Sequence, residues 1–150
     1  MKLYKIQDIN KLTPAMQQYA NLKNKHSDAL LFFRMGDFYE LFFDDAVITS
    51  KELNITLTKR GKFLNEDIPM CGVPFHAVNN YIPRLIKKGY EIAICEQTST
   101  PNEMLLKGIK GPLSRKVTRI ITPRTLIEEE HLETKQFNFL ACLTINNFDF

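Results

Sequence analysis

A chain of 150 residues, 44% apolar and 25% charged, is long enough for one domain with a sizeable core. No apolar run approaches the roughly 20 residues needed to span a bilayer. The N-terminus lacks the basic-then-apolar order of a secretory signal, so a cytoplasmic location is expected. The net charge of +3 says little about partners as a total.

In chain order, residues 1–11 carry no clear period and suggest disorder or a minor strand. Thr13-Pro14 opens a helix, with Thr at the cap and Pro at the first helical position. Met16, Tyr19, Ala20 and Leu22 continue it with helical spacing to about His26. Leu30 to Met35 is an apolar run short enough for a buried strand, and Gly36-Asp37 turns it into a second strand, Phe38 to Phe43. Alternation puts Phe38, Glu40 and Phe42 on one face of that strand and Tyr39, Leu41 and Phe43 on the other. An aromatic ring and a carboxylate about 6.6 Å apart, two residues of strand rise, suit a ring stacked on a nucleobase and a carboxylate at the base's edge. On pattern alone, half-buried sheet with a solvated Glu is the commoner meaning of such a strand. Only one of the two groups transfers a proton, so they make no obvious catalytic pair.

Asp44 or Asp45 is placed to cap a segment from Ala46 to Leu53, whose Val47, Ile48 and Thr49 favour a strand. Ile55 to Lys59 alternates as another strand. Arg60 to Asp67 reads as a loop, and Ile68 to Pro74, punctuated by Pro69, Gly72 and Pro74, as a shaped segment rather than a regular central strand. A glycine such as Gly72 permits close backbone approach to a partner. His76 to Lys88 is expected to be helical, with Gly89 as its stop, and Tyr90 to Thr98 to be a strand. Thr98 to Ser114, with two Pro and two Gly, reads as a long loop, and Arg115 to Thr122 as the last strand. Lys107, Lys110, Arg115, Lys116, Arg119 and Arg124 fall in one stretch without an acidic residue, a stretch suited to facing phosphate. Glu128, Glu129, Glu130 and Glu133 then reverse the sign and mark a boundary. Cys71, Cys95 and Cys142 have no metal-type spacing and read as reduced packing residues.

Met35-Gly36-Asp37-Phe38-Tyr39-Glu40 resembles the Gly-x-Phe-Tyr-Glu signature of the N-terminal mismatch-recognition domain of the bacterial MutS family. The resemblance continues in family order through Leu57 to Gly61, Ile68 to Ala77, Ala93 to Gln97 and Arg115 to Pro123. It favours helix over strand for residues 46–53. It departs from the family where Arg124 stands in Thr122-Pro123-Arg124-Thr125 in place of the usual Gly, and in the long stretch 98–114.

Together, pattern and resemblance imply an α/β fold with a mixed sheet of about six strands flanked by helices, in residues 1–125. A linker over 126–136 and the first strand of a connector domain over 137–150 are expected to follow. The resemblance implies DNA mismatch repair: binding of mismatched or unpaired bases in double-stranded DNA, with Phe38 as the inserted wedge and Glu40 as the base contact. Lys59, Arg60, Met70, Gly72, Arg115 and Arg119 are the residues expected along the DNA backbone. No catalytic residue, metal or cofactor is expected in this segment. The family's ATP and Mg²⁺, its homodimerisation and its recruitment of a downstream repair factor belong to a longer parent protein, and no Gly-x-x-x-x-Gly-Lys-Ser/Thr loop occurs here. Two other readings of the residues are a metal-dependent nuclease, using Asp37, Glu40, Asp44 and Asp45, and a protein-interaction domain in which Phe38 docks into a partner.

Overall fold

The structure is a computed structural model and describes residues 9–124. The linker and connector strand expected after residue 125, together with Cys142, lie outside the described residues. The first strand, β1 (Ala29–Met35), and the second, β2 (Phe38–Phe42), form an antiparallel hairpin in which Met35 faces Phe38 and Phe33 faces Glu40. Gly36, with φ of +60°, supplies the left-handed residue that the tight turn between them needs. The remaining strands are β3 (Thr58–Phe63), β4 (Glu66–Pro74), β5 (Glu91–Gln97) and β6 (Arg115–Ile121). The sheet order is β3-β4-β2-β1-β5-β6. Only β1 and β5 are parallel, so the sheet is mixed, as expected from the sequence.

Alternation along each strand gives the sheet two apolar faces. Leu30, Phe32, Tyr39, Leu41, Cys71, Val73, Ile92 and Ile94 point to one face, where helices α2 (Phe43–Leu53) and α3 (Ile82–Ile86) cover them with Ala46, Leu53, Ile82 and Leu85. Leu31, Phe33, Phe42, Ala93 and Cys95 point to the other, packed against Met16, Tyr19 and Ala20 of α1 (Pro14–Lys25). Burying each large side chain of this set completely stabilises the fold by about 1.5–3 kcal/mol. The two described cysteines, Cys71 and Cys95, are buried and reduced, and burial pushes each thiol up to about 12.

Several sequence expectations are corrected. Phe43 does not continue the alternation of β2: its φ of +53° breaks the strand, and it begins α2. Neither Asp44 nor Asp45 caps that helix, whose N-cap is Phe42. Asp45 is instead buried and paired at 2.9 Å with the equally buried Lys23. The strand expected at residues 55–59 begins at Thr58 and runs to Phe63, into the expected loop. Ile68 to Pro74 belongs to a nine-residue strand in the sheet interior, hydrogen-bonded to both β2 and β3. Pro69 is accommodated because β3 bulges beside it, between Lys59 and Lys62. The helix expected over residues 76–88 is a 3-10 segment, Phe75–Asn80, followed by the short α3 with Pro83 in its first turn. The stretch 98–114 contains helix α4 (Pro101–Leu106), held by a capping box between Thr100 and Glu103.

Candidate nucleic-acid interface

Phe38, Glu40 and Phe42 share the face of β2 against which α1 packs, and they differ sharply in exposure. Phe42 is fully buried beneath Tyr19, whose ring meets it edge-on at 5.1 Å. Phe38, next to the Gly36-Asp37 turn, keeps 46% of its surface exposed. The ring at this end of the strand therefore keeps nearly half of its surface free to meet a partner, whereas Tyr39 and Phe42 do not.

Glu40 lies between them, across from Phe33 on β1 and Gly72 on β4. A Cβ at Gly72 would sit 3.4 Å from the Tyr39 carbonyl oxygen and 3.7 Å from both Glu40 Cγ and Phe38 Cδ1. The missing side chain is therefore what leaves this corner of the sheet open. Arg60 Nη1 donates to Glu40 Oε2 at 2.5 Å, reaching over from β3 with β4 between the two strands. Burial raises the Glu40 carboxyl above the ordinary glutamate range, and Arg60, then Arg115, pull it back.

Arg34 faces Tyr39 on the opposite side of the hairpin. Its guanidinium carbon stacks 3.8 Å from the centre of the Phe75 ring and 5.5 Å from that of Tyr39. The Tyr39 hydroxyl donates to Glu96, and Arg34 Nη1 lies 3.8 Å from the same carboxylate. Burial, and then the Glu96 carboxylate, hold the Tyr39 phenol up at about 12. The Phe75 amide donates to the Asp37 carbonyl, tying the turn to β4's end at 2.9 Å. Sequence reasoning did not identify this brace. Its one visible signal is Arg34 at the end of an apolar run, opposite Tyr39 in the expected hairpin.

The sequence-nominated residues divide into groups. Phe38, Glu40, Arg60 and Gly72 come together, and Met70 borders them, half-buried and paired with Phe42 and Thr58. Lys59 is exposed on β3 and pairs with Asp67 at 2.7 Å. Arg115 is half-buried and engaged by the fold: it donates to the carbonyls of Arg34 at 2.7 Å and Leu113 at 2.8 Å, with its guanidinium 4.8 Å from the Phe33 ring centre. Arg119 is exposed on β6, opposite Ile94. Of the four carboxylates a nuclease would use, Asp37 is exposed in the turn, Asp44 is half-buried in the first turn of α2, Glu40 is held by Arg60 and Asp45 by Lys23. Among the described residues, no three His, Cys, Asp or Glu side chains converge as a metal site. No helix among them is long and apolar enough to cross a membrane.

The surface that results is an exposed ring beside a half-shielded carboxylate, on a glycine-opened sheet, with basic strands at either side. Most of the chain is similar to known proteins. The chain is 53% identical over 136 residues to the DNA mismatch repair protein MutS of Ehrlichia ruminantium (strain Welgevonden), covering 91% of this chain and 16% of that protein. It is 53% identical to the Ehrlichia chaffeensis protein of the same name and 56% identical to that of Rickettsia canadensis, each over 134 residues and 89% of this chain. These alignments cover 16% and 15% of the two relatives, so the chain corresponds to a small part of the proteins it matches. Residues 13–130 match the family described as MutS domain I, and the chain belongs to that family.

Proposed function

We propose that this chain serves DNA mismatch repair by binding mismatched or unpaired bases in double-stranded DNA, with Phe38 as the wedge and Glu40 as the base contact. The observation that carries the reading is the exposure of Phe38 beside Glu40, on a strand whose neighbouring aromatics are buried. A mispaired base costs less to unstack than a paired one, and a duplex with a defect kinks more easily. An inserted ring therefore converts weak pairing into binding energy. Arg60 holds one oxygen of the carboxylate; the other is unfavourable near phosphates unless a base gives it a partner, so correct duplex is penalised and mispaired duplex is not.

Lys59, Arg60 and Arg119 are assigned to the DNA backbone in this reading, with Met70 and Gly72 at close approach to it, while Arg115, also expected there from the sequence, is given to the fold that holds it through the Arg34 and Leu113 carbonyls. The segment carries recognition and no catalysis. A longer cytoplasmic parent would add ATP hydrolysis with Mg²⁺, homodimerisation and recruitment of a downstream repair factor. In that parent, residues 1–125 form the recognition domain, 126–136 a linker and 137–150 the start of a connector domain.

The test is Phe38→Ala in the intact protein, with fluorescence anisotropy on matched and mismatched duplexes. Removing a stacking platform worth about 1–3 kcal/mol per base should abolish the preference for the mismatch while leaving background binding. Equal weakening on both duplexes would refute the wedge.

A further inference from the structure

We propose that Arg60 is the positioning residue of Glu40, and thus a determinant of mismatch specificity rather than only a contact to the DNA backbone. This inference rests on the base-contact reading of Glu40 and deepens it.

The geometry makes Arg60 an unusual member of the basic set. Lys59, its neighbour, lies on the same edge strand and pairs with Asp67 within the β3–β4 hairpin, where both side chains are well exposed. Arg60 sits at the β3 bulge, between the paired positions Lys59 and Lys62, and its guanidinium crosses β4 to Glu40 on β2. The Glu40 side chain is only 15% exposed, whereas that of Arg60 is 50% exposed. One partner is rooted in the site and the other arrives from outside it. Gly72, across from Glu40 on β4, adds no side chain beside the carboxylate.

Two consequences follow for the carboxylate. Arg60 Nη1 occupies Oε2, which fixes the rotation of the group and directs Oε1 as the oxygen for a base. Arg60 also offsets the effect of burial, favouring the ionised form that accepts hydrogen bonds over the acid that donates one. The other charge facing Glu40 is Arg115, arriving from β6 on the far side of β1, while Phe33 and Gly72 flank it without charge. Arg115 is retained by backbone carbonyls and an aromatic ring. Arg60 is therefore the partner whose removal changes both the aim and the protonation of Glu40.

The experiment compares Arg60→Ala, Arg60→Lys and Glu40→Gln, singly and with Arg60→Ala and Glu40→Gln combined, in the intact protein. The first readout is the Glu40 carboxyl titration, followed by carbon NMR of glutamate-labelled protein without DNA. Arg60→Ala should shift its midpoint upward, and Arg60→Lys should return it part of the way. The second is the ratio of mismatched to matched affinity. Arg60→Ala should reduce that ratio about tenfold, the range expected for misaligning a hydrogen bond to a charged group. In the Glu40→Gln background it should reduce the ratio no further.

An unmoved titration overturns the proposal, as does a loss from Arg60→Ala that is equal on both duplexes and persists beside Glu40→Gln. The two readings fail separately. If the titration moves but Glu40→Gln leaves discrimination intact, the base contact is wrong and the specificity role falls with it. If Glu40→Gln destroys discrimination while the titration stays put, the base contact stands and Arg60 is not its positioner.

Discussion

Gly72 offers a substitution in which recognition should fall while stability holds. Its backbone has no left-handed torsion, and an added Cβ meets its nearest neighbours at 3.4 Å and 3.7 Å, which is ordinary van der Waals contact. Gly72→Ala should therefore fold normally, with a gain of about 0.4–1 kcal/mol from the reduced freedom of the unfolded chain. Gly72→Val extends further. A Cγ about 1.5 Å beyond the Cβ enters the space held by Phe38 Cδ1 and Glu40 Cγ, each 3.7 Å from the Cβ position. Because Phe38 is half-exposed, its ring swings outward at small cost, and Val suits a strand. The melting temperature should consequently stay near that of the parent. A displaced ring no longer stacks, so up to about 1–3 kcal/mol of mismatch preference is lost, roughly 5- to 150-fold in the affinity ratio. Thermal melts and anisotropy on matched and mismatched duplexes measure the two quantities. Full discrimination by a stably folded Gly72→Val protein would refute the idea that this glycine keeps the corner open for Phe38.

Lys23→Met removes the partner of buried Asp45 and should destabilise the protein by about 3–5 kcal/mol at neutral pH. Burial raises the Asp45 carboxyl, and without Lys23 it rises further, so the folded form holds a proton that the unfolded chain releases. Stability is then lost as pH climbs from the unfolded value of 3.8 through the folded one, and the variant's deficit should be smaller at about pH 4 than at pH 7 in urea titrations; a deficit independent of pH would contradict this. Tyr39→Phe deletes the hydroxyl that Glu96 accepts and should lower stability by about 1–2 kcal/mol by denaturant titration. Arg115→Ala should appear in melts as a loss of stability, with the salt slope of DNA binding nearly unchanged. Lys59→Gln should do the reverse, reducing the slope by about 1 and weakening matched and mismatched DNA alike.

The alternation of β1 and β2 was legible because each buried residue answers one rule, and Phe38, Glu40 and Phe42 do share a face. That rule ends where backbone torsion takes over: Phe43 is apolar and in phase, yet its positive φ turns the chain into α2. Pro69 and Pro74 read as breakers of β4 because a one-dimensional pattern does not reveal that the neighbouring strand bulges beside Pro69. The short α4 was hidden by the prolines and glycines around it, although Thr100-Pro101-Asn102-Glu103 is a capping box in plain view. Lys23 follows Met16, Tyr19 and Ala20 on the buried stripe of α1, a cation at an apolar position that anticipates a buried counter-ion. Within the candidate site, resemblance nominates Phe38 and Glu40, and the fold places them on one face of β2. Their grouping with Arg60 was not, because it crosses an intervening strand.

The outer strands of the sheet bear on how copies of this domain behave beside one another. Among the described residues, β3 and β6 each pair on one side only, a geometry that invites strand-to-strand self-association. Both are cationic, with Lys59, Arg60 and Lys62 on β3 and Arg115, Lys116 and Arg119 on β6. Edge-to-edge approach of two copies brings like charges together whichever edges meet, and the β3 bulge further spoils a flat pairing template. The same positive charge that would draw in a phosphate backbone thus keeps neighbouring copies from joining their sheets, and high salt, by screening it, should promote self-association even as it weakens attraction to DNA.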